Sequence, residues 1–218
     1  MEKLAIYGAG GFGREIACMV NLINQGNKKW ELIGFIDDGI PVGHANRFGS
    51  VIGDLNMLNE FPEKIAVAIS VASPEILKKL TIGITNLNVW YPNLIAPDVK
   101  FHDPDSFSVG IGNIIFFSCR ISCDVRIGNF NIMNSLVSLG HDVTIGDRNV
   151  FFPTVRISGD CKVGNDNFFG IQSMILQGKS IGNNTRIGAS SVIMKNTKDD
   201  SLYFGNPAKK IIPDSKKY

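Results

Sequence analysis

His141 and Asp142 are the residues of this chain best suited to moving a proton. The chain holds three histidines, and His44 and His102 lie in segments that we interpret as exposed loops. An unperturbed imidazole titrates near pH ~6.5, so His141 could accept a proton from an amine or hydroxyl that attacks an acyl carbon. Asp142 could orient the ring and stabilise the imidazolium, although an aspartate in a tight turn would look the same in the sequence.

A second group of residues could hold a phosphate. Gly8, Gly10 and Gly13 follow a short apolar segment and open an amphipathic one, as in a phosphate-binding loop between a strand and a helix. Asp37 and Asp38 end the next apolar segment, where an acid that reads ribose or base commonly stands. The segment has room for one mononucleotide half, which favours a nucleoside diphosphate. A tight turn without a ligand and an NAD site stay open as alternatives.

The glycine loop needs a sheet to position it, and the local patterns predict one. They indicate strands over residues 3–7, 31–36 and 64–70, a helix over 14–24 and a short helix that opens at Pro74. This βαβαβ order is half of a doubly wound nucleotide-binding fold. We therefore expect an α/β, Rossmann-like half domain over residues 1–88.

The second part of the chain has a period of six. From Val109 to Ile193 every sixth residue is large and apolar, fifteen times in succession. A helix and a plain alternating strand have other periods, so we expect hexapeptide coils with three hexads to a triangular turn. Glycine follows the apolar residue in eight of the fifteen hexads, and we attribute it to the backbone freedom that a corner needs. This all-β prism, with a tail, is expected over residues 89–218.

Residues eighteen apart stack in such a prism, which places Cys123, His141, Gly159 and Gln177 in one column. We expect Gly159 to leave open space over the imidazole, where the thin arm of an acyl thioester could lie. Cys123 has no histidine in its own layer and is interpreted as a structural thiol. A zinc site of the γ-carbonic anhydrase kind needs three histidines and this prism has one, so no metal is expected.

Composition excludes several classes of partner. The 22 basic and 20 acidic residues give a net charge of +2, which does not suggest binding to nucleic acid or to an anionic membrane. No apolar run reaches the roughly 20 residues of a membrane span. The four cysteines lack metal-finger spacing and no secretory leader is visible, so we expect a cytoplasmic protein.

Five segments, taken in order, resemble the sialic acid O-acetyltransferase-like family of hexapeptide-repeat sugar acetyltransferases. They are residues 8–14, 34–38, 51–54, 140–147 and 205–209. Members of this family include N-acetyltransferases of UDP- or dTDP-linked 4-amino-4,6-dideoxy sugars. The resemblance implies a left-handed parallel β-helix, a homotrimer and acetyl-CoA as co-substrate, and we expect direct transfer without a covalent enzyme intermediate.

The resemblance also implies roles by position. The family's catalytic base falls on His141. The nucleotide-sugar site of the family falls on the glycine loop and the cleft beside it, at Gly11, Phe12, Gly13, Asp37, Asp38 and Gly53. Its acetyl-CoA site falls on prism corners and the tail, at Gly159, Ile171, Ala189, Pro207 and Lys209. Phe12 and Val150 stand where many relatives carry histidine, which leaves the sugar contacts open.

Several functional alternatives remain at this stage. The acceptor atom could be nitrogen or oxygen, and an O-acetyltransferase for sialic acid or a polysaccharide sugar is the first alternative. An NAD-linked oxidoreductase and a non-catalytic trimeric scaffold are more distant ones. The oxidoreductase would need a second nucleotide-binding half, and the scaffold would leave His141 without a role.

Overall fold

The computed structural model describes residues 1–211, and the first part of this range is a parallel sheet with flanking helices. The sheet has the strand order β3-β4-β2-β1-β5-β6, in which only β3 is antiparallel. All five residues of β5 are buried, as expected for a strand covered on both faces. The elements are β1 (Glu2–Tyr7), α1 (Gly11–Gly26), β2 (Trp30–Ile36), β3 (Ala45–Asn46), β4 (Gly49–Gly53), α2 (Leu55–Glu60), β5 (Ile65–Ile69), α3 (Pro74–Gly83) and β6 (Val89–Trp90).

The three predicted strands and two predicted helices are present, but the sequence analysis missed β4 and α2. β4 is short and bounded by glycines, and it is held by parallel pairing with β2. α2 has six residues, too few to show a helical period, and Asp54 caps it by accepting from the N–H of Met57 at 2.9 Å. β6 lies beyond the predicted boundary at residue 88 and still pairs with β5.

The rest of the described chain is a triangular prism of two-residue strands. Successive strands lie on the first, second and third faces in turn, so each strand pairs in parallel with the third strand after it. The first face holds β7 (Leu94–Ile95), β10 (Ile114–Ile115), β13 (Ile132–Met133), β16 (Val150–Phe151), β19 (Phe168–Phe169) and β22 (Arg186–Ile187). The second holds β8 (Lys100–Phe101), β11 (Arg120–Ile121), β14 (Ser138–Leu139), β17 (Arg156–Ile157), β20 (Met174–Ile175) and β23 (Val192–Ile193). The third holds β9 (Ser108–Val109), β12 (Arg126–Ile127), β15 (Thr144–Ile145), β18 (Lys162–Val163) and β21 (Ser180–Ile181).

A hairpin closes the described part of the prism. β24 (Leu202–Gly205) extends the first face beside β22, and β25 (Ala208–Ile211) pairs back on β24 in antiparallel fashion. The predicted period of six is confirmed, because the large apolar residues point inward in every coil. Phe151 and Phe169, for example, are fully buried and stack with their ring centroids 4.5 Å apart.

The corner glycines serve a different purpose from the one we predicted. Positive φ angles fall three residues after each apolar residue, at every sixth position from 112 to 190, and only Gly112 and Gly178 of these fourteen are glycine. The glycines directly after the strands have ordinary φ angles and are required by contact between coils. A Cβ on Gly128 would stand 2.7 Å from the carbonyl oxygen of Gly146 in the next coil. Glycine is therefore needed there for close approach.

A column of buried asparagines, which the sequence analysis overlooked, runs along the prism. Its members are Asn113, Asn131, Asn149 and Asn167, eighteen residues apart and fully buried. Asn149 donates its Nδ2 to the Oδ1 of Asn131 at 3.0 Å and to the carbonyl oxygen of Gly164 at 2.9 Å. Its Oδ1 accepts from the backbone N–H of Asn167 at 3.0 Å. The column therefore links each coil to the next.

Replacing Asn149 with leucine, which has a similar size, is expected to lower the free energy of unfolding by about 2–4 kcal/mol. The substitution leaves the Oδ1 of Asn131, the carbonyl of Gly164 and the N–H of Asn167 buried with a lost partner. Urea denaturation followed by circular dichroism measures the change. Asn56→Leu, on the exposed side of α2, is the control, and equal midpoints for the two variants would contradict the role assigned to the column.

The amino-terminal domain covers the first face of the prism. The outward side chains of that face, Ile114, Ile132 and Val150, are buried within the same apolar cluster as the core of the sheet. Phe12 stacks on Phe116 with ring centroids 5.4 Å apart. The two domains therefore share one core. Among residues 1–211, no helix has the length and apolar character needed to cross a membrane.

Candidate functional site

His141 lies at the corner between the second and third faces, in the turn from β14 to β15. The backbone of the turn is fixed because Asp142 N–H donates to Cys123 O at 3.1 Å and Asp160 N–H donates to His141 O at 2.8 Å. The side chain of His141 keeps 50% of its surface exposed. A polar ring on a rigid, solvent-accessible corner is well placed to meet a ligand from outside the prism.

The position of Asp142 is compatible with both roles considered for it, a turn residue and a partner of the His141 ring. Its φ angle of 58° matches those of Asp124 at 56° and Asp160 at 54°, so it occupies a recurrent left-handed turn position. Its Oδ2 also lies 2.8 Å from Nδ1 of His141. A carboxylate at this distance holds the hydrogen on Nδ1 and leaves the lone pair of Nε2 free to accept a proton.

Gly159 does not leave open space over the imidazole, contrary to our expectation. The ring of His141 itself lies against Gly159, and a Cβ there would overlap Nε2 and stand 2.7 Å from Cε1. The space freed by the missing side chain is therefore occupied by the imidazole. Gly159 determines where Nε2 can lie, and any ligand must approach from the exposed side of the ring.

The glycine loop presents free backbone donors. α1 begins at Gly11, its N-cap Gly10 supplies no side chain to cap it, and the first turn has no acidic residue. The first N–H groups of a helix lack partners within it, so those of Gly11, Phe12 and Gly13 are available to an anion. A Cβ on Gly13 would overlap the carbonyl oxygen of Gly8, so Gly13 is a packing glycine, whereas nothing lies within 4 Å of a Cβ on Gly10.

The carboxylate of Asp37 is hydrogen-bonded to backbone N–H groups beside this loop. Its carboxylate accepts from the N–H groups of Ala9 at 2.8 Å and of Gly39 and Ile40 at 2.9 Å. Burial alone would raise its pKa, but these three hydrogen bonds together hold the pKa of Asp37 below its usual value. The acid anchors the glycine loop to the end of β2.

Asp38 is also held in place, although its side chain remains exposed. Its Oδ2 accepts from the hydroxyl of Tyr7 at 2.5 Å and its Oδ1 from the N–H of Leu55 at 2.9 Å. Burial, followed by the hydrogen bond to Asp38, raises the pKa of Tyr7 well above its ordinary value. Gly53 is buried against Met57 and accepts from the N–H of Asp37 at 3.0 Å. Gly53 therefore contributes to the cleft through its backbone.

Replacing Asp37 with asparagine is expected to cost about 1–2 kcal/mol of stability at pH 7 and distinctly less near pH 3. The pKa of Asp37 is lowered by folding, so its stabilisation is present above the unfolded value of about 3.9 and is lost as pH falls through the folded value. Denaturant titrations of both proteins at the two pH values measure this. An equal difference at both pH values would contradict the hydrogen-bonded carboxylate as its source.

Phe12 and Val150, where the resemblance led us to compare the chain with histidine, both pack against apolar residues. The ring of Phe12 stacks on that of Phe116 at the domain interface. Val150 is 1% exposed and lies on the first face, beneath the amino-terminal domain. Phe12 stays a prediction as a substrate-binding residue, and its backbone N–H at the start of α1 is the group that could serve.

The positions proposed for acetyl-CoA fall into three separate places in one chain. Gly159 lies with His141 at the corner between the second and third faces. Ile171 and Ala189 are stacked at the corner between the first and second faces. Pro207 and Lys209 lie in the β24–β25 hairpin, beside a cavity of about 510 Å³. One chain alone does not bring these positions into a single site.

Comparisons with known proteins agree with this architecture. Residues 3–82 match the family model described as the PglD N-terminal domain. The acetyltransferase domain of PglB from Neisseria gonorrhoeae FA1090, solved with acetyl coenzyme A, is 27% identical with a TM-score of 0.87, over 96% of this chain and 99% of that one. A comparison with curated protein sequences found no match.

Two more distant structures share the fold. A histidine-to-asparagine variant of perosamine N-acetyltransferase from Caulobacter crescentus, solved with CoA and GDP-perosamine, is 24% identical with a TM-score of 0.84, over 97% of both chains. WeeI from Acinetobacter baumannii AYE is 22% identical with a TM-score of 0.83, over 97% of this chain and all of that one. Over nearly its whole length the chain therefore has the fold of these acetyltransferases, and its residues 3–82 match the PglD-type amino-terminal domain.

Proposed function

We propose that this protein transfers the acetyl group of acetyl-CoA to the amino group of a nucleotide-linked amino sugar, with His141 as the general base. The observation that carries the proposal is the pairing of His141 Nδ1 with Asp142 Oδ2 at 2.8 Å on an exposed corner, with Nε2 left free. The similarity to the gonococcal acetyltransferase domain, which was solved with acetyl coenzyme A, supports the donor. The GDP-perosamine bound to the Caulobacter enzyme supports a nucleotide-linked acceptor.

The chemistry follows from the free nitrogen of His141. Nε2 accepts the proton as the neutral sugar amine attacks the thioester carbonyl, and the thiolate of CoA leaves when the tetrahedral intermediate collapses. Asp142 stabilises the imidazolium while the charge is present. We expect a backbone N–H to donate to the developing oxyanion. No residue near His141 needs to form a covalent bond with the acetyl group.

We further propose that the active protein is a homotrimer. His141 and Gly159 lie on one corner of the prism, while Ile171 and Ala189 lie on another, with the second face between them. A second copy that sets its own corner beside His141 would bring both sets to one acetyl-CoA molecule. The hairpin at Pro207 and Lys209 would then hold the distal part of the donor.

The acceptor is assigned to the amino-terminal domain. The N–H groups of Gly11, Phe12 and Gly13 suit a diphosphate, and the exposed carboxylate of Asp38 suits a ribose or base. Asp37 and Gly53 act by fixing the cleft, since their polar atoms are already hydrogen-bonded within the chain. A 4-amino-4,6-dideoxy sugar linked to UDP or dTDP is the acceptor we propose.

The test is a thiol-release assay with acetyl-CoA and a panel of acceptors. The panel holds UDP-, dTDP- and GDP-linked 4-amino-4,6-dideoxy sugars, the matching 4-hydroxy sugars and free sialic acid. We expect release with at least one amino sugar and none with its 4-hydroxy counterpart. Release with sialic acid or only with hydroxy sugars would replace N-acetylation by O-acetylation, and the absence of release across the panel would refute the proposal.

A further inference from the structure

The second face of the prism carries cations in its outward positions. Lys100, Arg120 and Arg156 are exposed there, and Ser138 stands between the two arginines. Lys100 and Arg120 are direct cross-strand neighbours, and like charges in that relation destabilise a sheet. Within residues 1–211, none of the three cations forms an ion pair with a carboxylate. The charge of this face is therefore not compensated by the described part of its own chain.

The corner between the second and third faces carries carboxylates in a matching column. Asp124, Asp142 and Asp160 lie eighteen residues apart, and all three are exposed at the same left-handed turn position. Asp142 is paired with His141. Asp124 and Asp160 form no ion pair with any residue of the described range 1–211. Two carboxylates on this corner are thus available to a cation from outside the chain.

Each available carboxylate lies in the same coil as one of the arginines. Asp124 follows Arg120 by four residues, and Asp160 follows Arg156 by four. Copies related by a rotation axis parallel to the prism have their coils at equal heights. The homotrimer proposed above sets the corner between the first and second faces beside the His141 corner of a neighbour. Strands β11 and β17, which begin at the first of these corners, then run beside the neighbour's aspartates at the matching heights.

We propose that the second face is a contact surface for a second copy of this chain, in which Arg120 pairs with Asp124 of the neighbouring copy and Arg156 with its Asp160. The inference rests on the proposed function, because the orientation of the copies follows from the proposed acetyl-CoA site. Guanidinium and carboxylate groups form bidentate pairs with a defined geometry. A slip of one coil, about 4.8 Å, would place Ser138 opposite one of the two carboxylates, so the pairs also set the register of the copies.

The gap in the arginine column falls in the coil of His141. Ser138 occupies the outward position there and precedes Asp142 by four residues. An arginine at this place in the neighbouring copy would compete with His141 for the carboxylate of Asp142. The serine leaves that carboxylate to the imidazole, so the copies can pack closely while the pairing of His141 Nδ1 with Asp142 is retained.

Sedimentation equilibrium of the full-length protein tests the contact by the concentration at which the assembly is half dissociated. Arg156→Asp and Asp160→Arg should each raise this concentration about 10- to 100-fold, because each sets like charges against one another. The double variant exchanges the two charges and should return to within about threefold of the wild type. Arg126→Asp is the matched control. Arg126 is exposed at the same outward position of β12 on the third face, so its replacement should leave assembly unchanged.

Circular dichroism of the same samples separates a loss of assembly from a loss of fold. Recovery in the double variant supports the pair directly, since neither residue contacts the other within one chain. The inference is overturned if the wild type is monomeric, if both single variants assemble like the wild type, or if the double variant is no better than the singles. Sedimentation needs no turnover, so a negative thiol-release assay would refute the proposed function and leave this contact standing.

Discussion

The variant His141→Ala is expected to lose about 10²- to 10⁴-fold in kcat, with little change in fold or assembly. The loss is that of a general base, since the structure places no second imidazole in the same column: its other members are Cys123, Gly159 and Gln177. The side chain is half exposed and contributes no buried contact to the prism core. Thiol release under saturating substrates measures kcat, and sedimentation velocity reports the assembly.

His44→Ala is the matched control for this variant. His44 lies in an exposed loop of the amino-terminal domain and its hydrogen bonds are made by its backbone. Its replacement should leave kcat within about twofold of the wild type, as is usual for a surface substitution away from the site. Wild-type kcat in His141→Ala would remove the imidazole from the mechanism and favour acid–base help from the substrates or from water.

The variant Gly159→Ala is expected to lose about 10²-fold in kcat although Gly159 has no side chain of its own. The added methyl group would occupy the place of the His141 ring, because it would overlap Nε2 and stand 2.7 Å from Cε1. The ring must swing outward, and a displacement of about 1 Å in a reacting group is enough for a loss of this size. The pairing with Asp142 should weaken at the same time.

A double-variant cycle separates this positioning role from general damage to the fold. If Gly159→Ala acts through the ring, it should lower kcat in the presence of His141 and have little further effect in His141→Ala. Gly26→Ala, at the end of α1 with nothing within 4 Å of the added Cβ, controls for the loss of a glycine. Multiplicative losses in the double variant would show that Gly159 acts independently of the imidazole.

The residues that carry a strict local period were predictable, and those defined by contact were not. The step of six from Val109 to Ile193 follows from the geometry of the prism, so one pattern yields every inward residue. The purpose of the corner glycines was not predictable, because it depends on the carbonyl oxygen of the neighbouring coil. Likewise the sequence offers Asp37 as a ribose ligand, whereas three backbone N–H groups already occupy its carboxylate.

One signal for the domain interface was present in the sequence and was not used. Outward positions of the second and third faces carry residues such as Arg120, Ser138 and Lys162, which suit solvent. The same position on the first face carries Ile114 and Ile132, which are buried by the amino-terminal domain. The polarity of outward residues eighteen apart therefore indicates which face of the prism is covered. Val150 belongs to the same apolar column.

Because the coils stack at a constant spacing, distances along the prism are set by the number of coils. Three registers on the second face separate β14, which leads into His141, from β23, next to the final hairpin. Each register adds about 4.8 Å, so roughly 14 Å lies between the reactive corner and the end that holds Pro207 and Lys209. Gain or loss of one 18-residue coil would change that span in a fixed step and leave both ends intact. Under the proposed function, a change in the number of coils would therefore match donors of different length without altering the corner at His141.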